Sequence, residues 1–581
     1  MHLSIRFVLI LFLLGPIGCA PYLVVSGGVV NRDKLEEIRT GVAALRGLDF
    51  KAEVPIEVQG KSEMRRYLEK EIEAEYGDTK LRNLSLAYAQ LGLIPEGLDL
   101  KKLILDFYAA QVAAFYDPRA KKLVLPEDLG GGLFIGALQF LARRDILGEM
   151  VLAHELTHAL QDQHFSLSER LGPGGNDDKT LALRAVAEGD ATLSGFAYLF
   201  GGLDEKLLKQ IERSVQESIG KARAELADIP EAILEQLLFQ YYGGVSFVSR
   251  WLDQRGWLGV NFLYVAPPLS TEQVLHPEKY LPSPDPPTAV DIKNPSVIFP
   301  PGWEEIENNV LGELMVRVLF KQFFSEEDAK IVADGWDGDR FIAFRRRDER
   351  DKIDEIAFLW ASVWDSTRDA EEFFHKYQEL LVKKYGESVG LRATVQRRDR
   401  VVLVVEGKEK NIHLKENIEK IWQGLELKEE PFKPPFPPLK THRAAILPGI
   451  GAAHESAVLR MDEDSLPGPE VGGARDLMAF LPQLRPDLRW NRLLESDLHS
   501  LEVIGPGRVE SFLKAHSEVN DIGQDLDLPL GLHVASGSAE DKERPFASEN
   551  HRRHNGMAGS LAGPDAVGMR GVQGEELSAI L

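Results

Sequence analysis

The sequence has a single cysteine, Cys19, among its 581 residues. One cysteine cannot form an internal disulfide bond, and it cannot build a zinc site from cysteine ligands. A metal ion would therefore be held by histidine, aspartate or glutamate. Basic residues are also few, since 68 Lys and Arg face 91 Asp and Glu, and the formal net charge is −23. This balance argues against a nucleic-acid-binding protein, because such proteins need a basic surface to neutralise phosphates.

Long apolar segments are scarce as well. The apolar run at residues 7–14 has about eight residues, too few for a helix to span a bilayer of roughly 30 Å. Its basic start and the small residues after it have the form of a secretory signal. Cys19 follows directly, and Ile17-Gly18-Cys19 resembles the end of a bacterial lipobox, although Pro16 stands where Leu is usual. We predict a lipoprotein signal peptide at residues 1–20, with plain secretion or a retained anchor as alternatives.

This signal predicts where the mature protein acts. A lipidated cysteine would attach it to a membrane through an N-terminal lipid anchor. We therefore expect an extracytoplasmic protein of the bacterial cell envelope, in the periplasm, at the outer membrane or on the cell surface.

The rest of the sequence divides by periodicity and composition. Residues 34–290 are mostly helical in pattern, whereas residues 291–428 alternate strand and helix patterns, which predicts a small α+β sandwich with helices on one face of its sheet. Residues 429–442 form a Pro-rich linker. Periodicity is weak from 443 to 581, where we predict a disordered tail. The predicted fold class is α+β, with a mainly helical domain that has a small sheet, then the sandwich domain and the tail.

The stretch that indicates chemistry is His154-Glu155-x-x-His158. Residues four apart lie on one face of a helix, about one turn apart, so both imidazoles can reach one Zn²⁺. Glu155 is placed in this motif to take a proton from the attacking water, which zinc makes more acidic. The helix around the motif is apolar, and buried imidazoles without a partner would be costly. The pattern therefore predicts a zinc centre.

A catalytic zinc needs a third protein ligand and an open position. Glu188, thirty residues after the second histidine of the motif, is the preferred candidate, and His164, six residues after that histidine, is the alternative. His164 has the spacing of the third histidine of metzincins, but Gln161 stands where that family has a glycine to turn the chain. Asp190 and Thr192 follow Glu188 closely and are candidates to orient the metal ligands.

The motif and the downstream glutamate resemble the zincin metallopeptidases of the gluzincin type. The arrangement is also similar to that of a group of uncharacterised bacterial zincin-like lipoproteins. The stretches that carry the resemblance are residues 154–165, 184–193 and 270–280. It implies hydrolysis of peptide bonds in a protein or peptide substrate, with the two histidines and Glu188 holding Zn²⁺ and Glu155 as general base. It also implies a strand before the active helix that binds extended substrate, for which residues 123–125 are the nearest candidate.

Zincin chemistry also needs a donor for the developing oxyanion. We predict His276 as a second catalytic residue, because it lies in a loop-like segment before Pro277; a structural loop histidine is the alternative. Tyr116, Tyr241 and Tyr242 are further candidates whose simplest interpretation is core packing. The alternative function is a non-catalytic envelope binding or assembly lipoprotein with a structural or relict zinc site.

Overall fold

The computed structural model describes residues 23–111, 114–127, 144–172, 174–299, 301–346, 356–407, 414–429 and 432. The predicted signal peptide, the tail and nearly all of the Pro-rich linker lie outside these residues. The described residues belong to one compact unit with mixed α+β structure, as the sequence predicted. Within the part of the chain that the structure describes, no helix is both long and apolar enough to cross a membrane.

Helices dominate the first half of the described chain. The α-helices, labelled α1 to α15 in chain order, span Arg32–Arg46, Lys61–Leu91, Leu100–Gln111, Ile146–Phe165, Leu167–Arg170, Asp177–Phe200, Glu205–Glu225, Glu231–Val265, Thr271–Leu275, Pro277–Tyr280, Gly312–Lys321, Glu326–Ala333, Thr367–Tyr385, Val389–Arg392 and Leu414–Gln423. Short 3₁₀ helices span Pro295–Ile298 and Gly386–Ser388. Helices α2 and α8 contain glycines with non-helical backbone angles, Gly77 and Gly256, which divide each of them into two segments.

Strands form four small sheets in the described residues. The strands β1 to β12 span Val25–Ser26, Val29–Val30, Ile56–Gln59, Phe115–Asp117, Lys122–Pro126, Thr288–Ile292, Trp303–Asn309, Trp336–Arg346, Ile356–Trp364, Ala393–Arg398, Val401–Glu406 and Leu425–Glu429. The sheet orders are β1-β2, β3-β5-β4, β12-β6 and β10-β11-β9-β8-β7.

The three-stranded sheet lies beside α4. Strand β5 is its central strand, parallel to β3 and antiparallel to β4. Leu123 and Val124 pair on both sides and Leu125 pairs with β3, so this central strand does not offer the free edge that an extended substrate would need, and the prediction for it is wrong. The edge strands are β3 and β4, and β4 contacts α4 through a hydrogen bond between Tyr116 and Glu155.

The five-stranded sheet is antiparallel throughout and is covered on both faces. Trp360 of β9 packs with Phe373 of α13 on one face. Leu359, the neighbouring residue, belongs to a second core with Ile421 of α15 on the other face. All nine residues Ile356–Trp364 are buried. The prediction of helices on one face is therefore wrong, because alternate residues of β9 point into two different cores.

The largest hydrophobic core runs through both halves of the described chain. It includes Leu238 of α8, Leu319 of α11 and Phe341 of β8. The predicted boundary between residues 290 and 291 falls inside β6, which pairs with β12 from the far end of the described chain. The helical region and the sheet region therefore share apolar packing.

Helices α6 and α8 meet through two glycines next to Glu188. A Cβ atom on Gly244 would lie 2.0 Å from the carbonyl oxygen of Ala185, and one on Gly189 would lie 2.3 Å from the carbonyl carbon of Gly244. Contacts below about 3 Å force the helices apart. The two glycines therefore set how closely α8 supports the helix that carries Glu188.

We expect Gly244→Ala to lower the free energy of unfolding by about 1–3 kcal/mol or more, because the added methyl group meets rigid backbone. Gly220→Ala is the matched control, since Gly220 lies in α7 with nothing within 4 Å of its added Cβ. That substitution should raise the free energy of unfolding by roughly 0.5–1 kcal/mol through helix propensity. Denaturant unfolding measures both, and equal effects of the two changes would contradict the packing argument.

Candidate metal centre

Helices α4 and α6 bring together the side chains of the three predicted metal ligands, His154, His158 and Glu188. The Nε2 atoms of the two histidines lie 3.1 Å apart. Oε2 of Glu188 lies 3.3 Å from Nε2 of His154 and 3.5 Å from Nε2 of His158. The three side chains are 13, 15 and 20% exposed, so the group is mostly buried but reachable from solvent.

These distances suit a shared zinc ion. Two ligand atoms that each bind Zn²⁺ at about 2.0–2.1 Å with tetrahedral angles lie roughly 3.3 Å apart. Oε2 of Glu188 is also buried without a hydrogen-bond partner among the described residues. An unpartnered buried carboxylate oxygen is costly. An ion between the oxygen and the two imidazoles would remove that cost.

Electrostatics in the triad of His154, His158 and Glu188 also favour a positive charge. Burial raises the pKa of Glu188, but the charges of the two histidines outweigh burial and hold that pKa well below its usual range. Burial lowers the pKa of His158, but the negative charge of Glu188 outweighs burial and raises that pKa to about 9. Without a metal, a proton supplies the positive charge that the carboxylate attracts; a metal ion would take the place of that proton.

Gln161 determines which nitrogen of His158 faces the triad. Its Nε2 donates to Ala187 O at 3.0 Å and to Oδ2 of Asp190 at 2.9 Å. Its Oε1 therefore meets Nδ1 of His158, at 2.8 Å. An amide oxygen only accepts hydrogen bonds, so Nδ1 of His158 carries a proton and Nε2 is the nitrogen left for a metal.

Asp190 supports this contact from the protein interior. Its Oδ2 also accepts from Nη1 of Arg46 at 2.9 Å and from the hydroxyl of Tyr264 at 2.7 Å. The side chains of Arg46 and Asp190 are both fully buried. Asp190 thus orients His158 through Gln161, whereas Oγ1 of Thr192 has no hydrogen-bond partner in the described part of the chain.

Glu155 lies beside the triad and is 5% exposed. Its Oε2 accepts the backbone N–H of Tyr116 at 2.7 Å, which edge strand β4 directs towards α4. Burial raises the pKa of Glu155, and the positive charges of His154 and His158 oppose that increase. A buried carboxylate with a raised pKa is a stronger base than one in water.

The two other predicted histidines lie away from the triad. Helix α4 continues through Gln161 to Phe165, and Nε2 of His164 is hydrogen-bonded to Asp49 O at 2.8 Å. His164 is therefore not the third ligand of this group. His276 lies between α9 and α10, where its Nε2 is 2.9 Å from Oε1 of Glu313. The structure does not bring His276 to the triad, because its neighbours belong to a separate cluster.

The three predicted tyrosines differ in their surroundings. The hydroxyls of Tyr116 and Tyr242 donate to the carboxylates of Asp162 and Glu235. Tyr241 is buried, and its pKa is raised well above the usual value by burial and then by nearby negative charge, including that of the triad glutamate. Tyr241 is therefore the one of these three whose hydroxyl interacts electrostatically with the triad.

Comparisons with known proteins concern another part of the chain. Residues 299–415 match the model of a family described as a domain of unknown function, DUF8575. No curated protein and no solved structure matches the chain. The matched range covers β7 to β11 and includes neither α4 nor α6.

Proposed function

We propose that this protein is a zinc-dependent peptidase in which His154, His158 and Glu188 hold Zn²⁺. The observation that carries the proposal is the convergence of two imidazole nitrogens on Oε2 of Glu188, a buried oxygen that lacks a hydrogen bond among the described residues. Two imidazole nitrogens and one carboxylate oxygen are a donor set of catalytic zinc sites. The ion, when bound, supplies Lewis acidity, which polarises a carbonyl group and makes water more acidic.

Glu155 is the proposed general base. The N–H of Tyr116 fixes one carboxylate oxygen and thereby orients the other for proton transfer. The carboxylate takes a proton from the attacking water and gives it to the leaving amine. Its burial and raised pKa support this role. The proposed substrate is a protein or peptide outside the cytoplasm, reached from an envelope membrane through a lipid anchor at Cys19.

The position of His164 bears on the alternative function. A structural zinc site would favour a fourth protein ligand, and His164, the predicted alternative to Glu188, is the residue that we expect to join the other three in that case. Its ring is instead hydrogen-bonded to Asp49 O. Among the described residues the group has three ligands, which supports an open position and hence the peptidase rather than the non-catalytic lipoprotein.

Cleavage of an unbiased peptide library by the purified protein tests the proposal. We expect cleavage that stops when a chelator removes zinc and returns when zinc is restored. Glu188→Gln should lose both zinc and cleavage, because the neutral amide is a poor metal ligand. Glu217→Gln on the exposed surface of α7 is the matched control. A zinc-loaded wild-type protein that cleaves no peptide would contradict the peptidase and favour the binding lipoprotein.

A further inference from the structure

A second group of ligand atoms converges where α9, α11 and α12 meet. His276 follows α9, Glu313 is the second residue of α11, and Asp334 follows α12 directly. Each contributes one ligand atom, and the three atoms lie within 4.8 Å of one another. Three separate helices position these side chains, so the cluster is a product of tertiary structure and not of one local motif.

Glu313 has a buried oxygen without a partner. Its Oε1 lies 2.9 Å from Nε2 of His276, which satisfies one half of the carboxylate. Its Oε2 is buried and has no hydrogen-bond partner among the described residues, and the whole residue is 4% exposed. Oε2 of Glu188 in the proposed zinc site has the same feature. A buried carboxylate oxygen without a donor is energetically costly.

The surroundings of His276 are acidic. Oε1 of Glu278 lies 3.9 Å from Nδ1 of His276. Asp334 is exposed, so the cluster is open to solvent. The carboxylate of Glu313, whose Oε1 lies against Nε2 of His276, is a second acidic neighbour. Like the triad, the cluster therefore attracts a positive charge. A proton on Nε2 leaves Oε2 of Glu313 unsatisfied, whereas a cation between the three side chains can bind both carboxylates.

A neighbouring acidic group is different because it already contains a cation. Nζ of Lys279 lies 2.7 Å from Glu272, 2.6 Å from Asp365 and 3.3 Å from Asp285. These carboxylates neutralise the ammonium group, so that cluster needs no metal ion.

We propose that His276, Glu313 and Asp334 form a second binding site for a divalent transition-metal ion. One imidazole nitrogen and two carboxylate oxygens suit Zn²⁺ or Mn²⁺, whereas Ca²⁺ takes oxygen ligands alone. Glu313 and Asp334 lie inside the range that matches DUF8575, and His276 lies outside it. The ion would therefore fasten the matched segment to the helical region that carries the triad.

Zinc stoichiometry tests the second site. The full-length protein is stripped with a chelator, dialysed against Zn²⁺ alone at increasing concentrations, and measured by elemental analysis. We expect two Zn²⁺ per wild-type chain. Asp334→Asn should weaken the affinity for one of the two ions at least tenfold. Because Asp334 is exposed, this change should not disturb the core. Glu327→Gln, an equal change of charge at an exposed position of α12, should leave both unchanged.

The variant Glu188→Gln separates this site from the proposed catalytic one. This variant should retain one Zn²⁺ per chain, and that ion should raise the midpoint of thermal unfolding. Adding Asp334→Asn should weaken the binding of the remaining ion. One zinc that Asp334→Asn weakens and Glu188→Gln spares would support the second site even if the peptidase proposal failed. Two zinc ions that Asp334→Asn does not affect, or a single zinc that depends on Glu188 alone, would overturn the second site.

Discussion

Glu155→Gln is expected to keep its zinc and to lose proteolysis by about 10²–10⁴-fold, the contribution of a general base. Glutamine has nearly the same shape, and its amide oxygen can still accept the N–H of Tyr116 that Glu155 accepts at 2.7 Å. The amide cannot take a proton from water. Zinc should stay because Glu155 is not one of the proposed metal ligands, which are His154, His158 and Glu188. Initial rates of cleavage of a library-derived peptide, with zinc content measured on the same sample, give both quantities.

The comparison between Glu155→Gln and Glu188→Gln makes this expectation specific. Both changes replace a mostly buried carboxylate beside the histidines by an amide, but the first should spare the metal and the second should remove it. Zinc-loaded Glu155→Gln that cleaves within tenfold of wild type would rule out Glu155 as the general base. Equal loss of zinc in both variants would instead assign Glu155 a structural role in the metal site.

The common position of the two histidines in the triad could be predicted because their geometry is local. The spacing of His154 and His158 fixes their common face on any helix, and Glu188 lies on another helix with an apolar pattern of its own. The sequence pattern indicates for Gln161 only that it replaces a turn-forming glycine. Its i, i+3 relation to His158 was the available signal, since residues three apart are neighbours on a helix surface.

The ion pair between Arg46 and Asp190, the residue that holds Gln161 in place, could not be predicted from the sequence. Arg46 lies 144 residues before Asp190 in the sequence, and only the packing of α1 against α6 joins them. No pattern near either residue indicates that pairing. The wrong prediction of a free edge at residues 123–125 has the same cause. Their composition predicts a strand correctly, but the central place of that strand in the sheet depends on β3, more than sixty residues earlier.

The burial of both faces of the five-stranded sheet has a signal in the sequence, which is the uninterrupted apolar run of β9. Ile356–Trp364 contains eight apolar residues and one serine, and a strand with one solvent-exposed face would alternate apolar and polar residues. The uninterrupted run was typical of a strand buried on both faces. The helix that covers the second face, α15, lies beyond β11 in the sequence, so the partner of that face was visible only in the structure.

Asp190→Leu is expected to cost about 3–5 kcal/mol of unfolding free energy, because it leaves the fully buried Arg46 without its charge partner. It should also weaken zinc binding by about 10–100-fold, since Gln161 loses an acceptor and no longer holds Nδ1 of His158 firmly. Denaturant unfolding of the metal-free protein measures the first effect. Competition for Zn²⁺ with a chelator of known affinity measures the second.

The double variant Arg46→Met/Asp190→Leu should separate these two effects. Removing both charges abolishes the unpaired buried guanidinium, so most of the lost unfolding free energy should return, as when buried ion pairs are replaced by apolar side chains. Zinc binding should remain weak, because Gln161 still lacks the carboxylate of Asp190 as an acceptor and keeps only Ala187 O. If zinc binding returned together with stability, the weak zinc binding of the Asp190→Leu variant would be a consequence of unfolding. The Asp190–Gln161–His158 contact would then have no separate role in holding the metal.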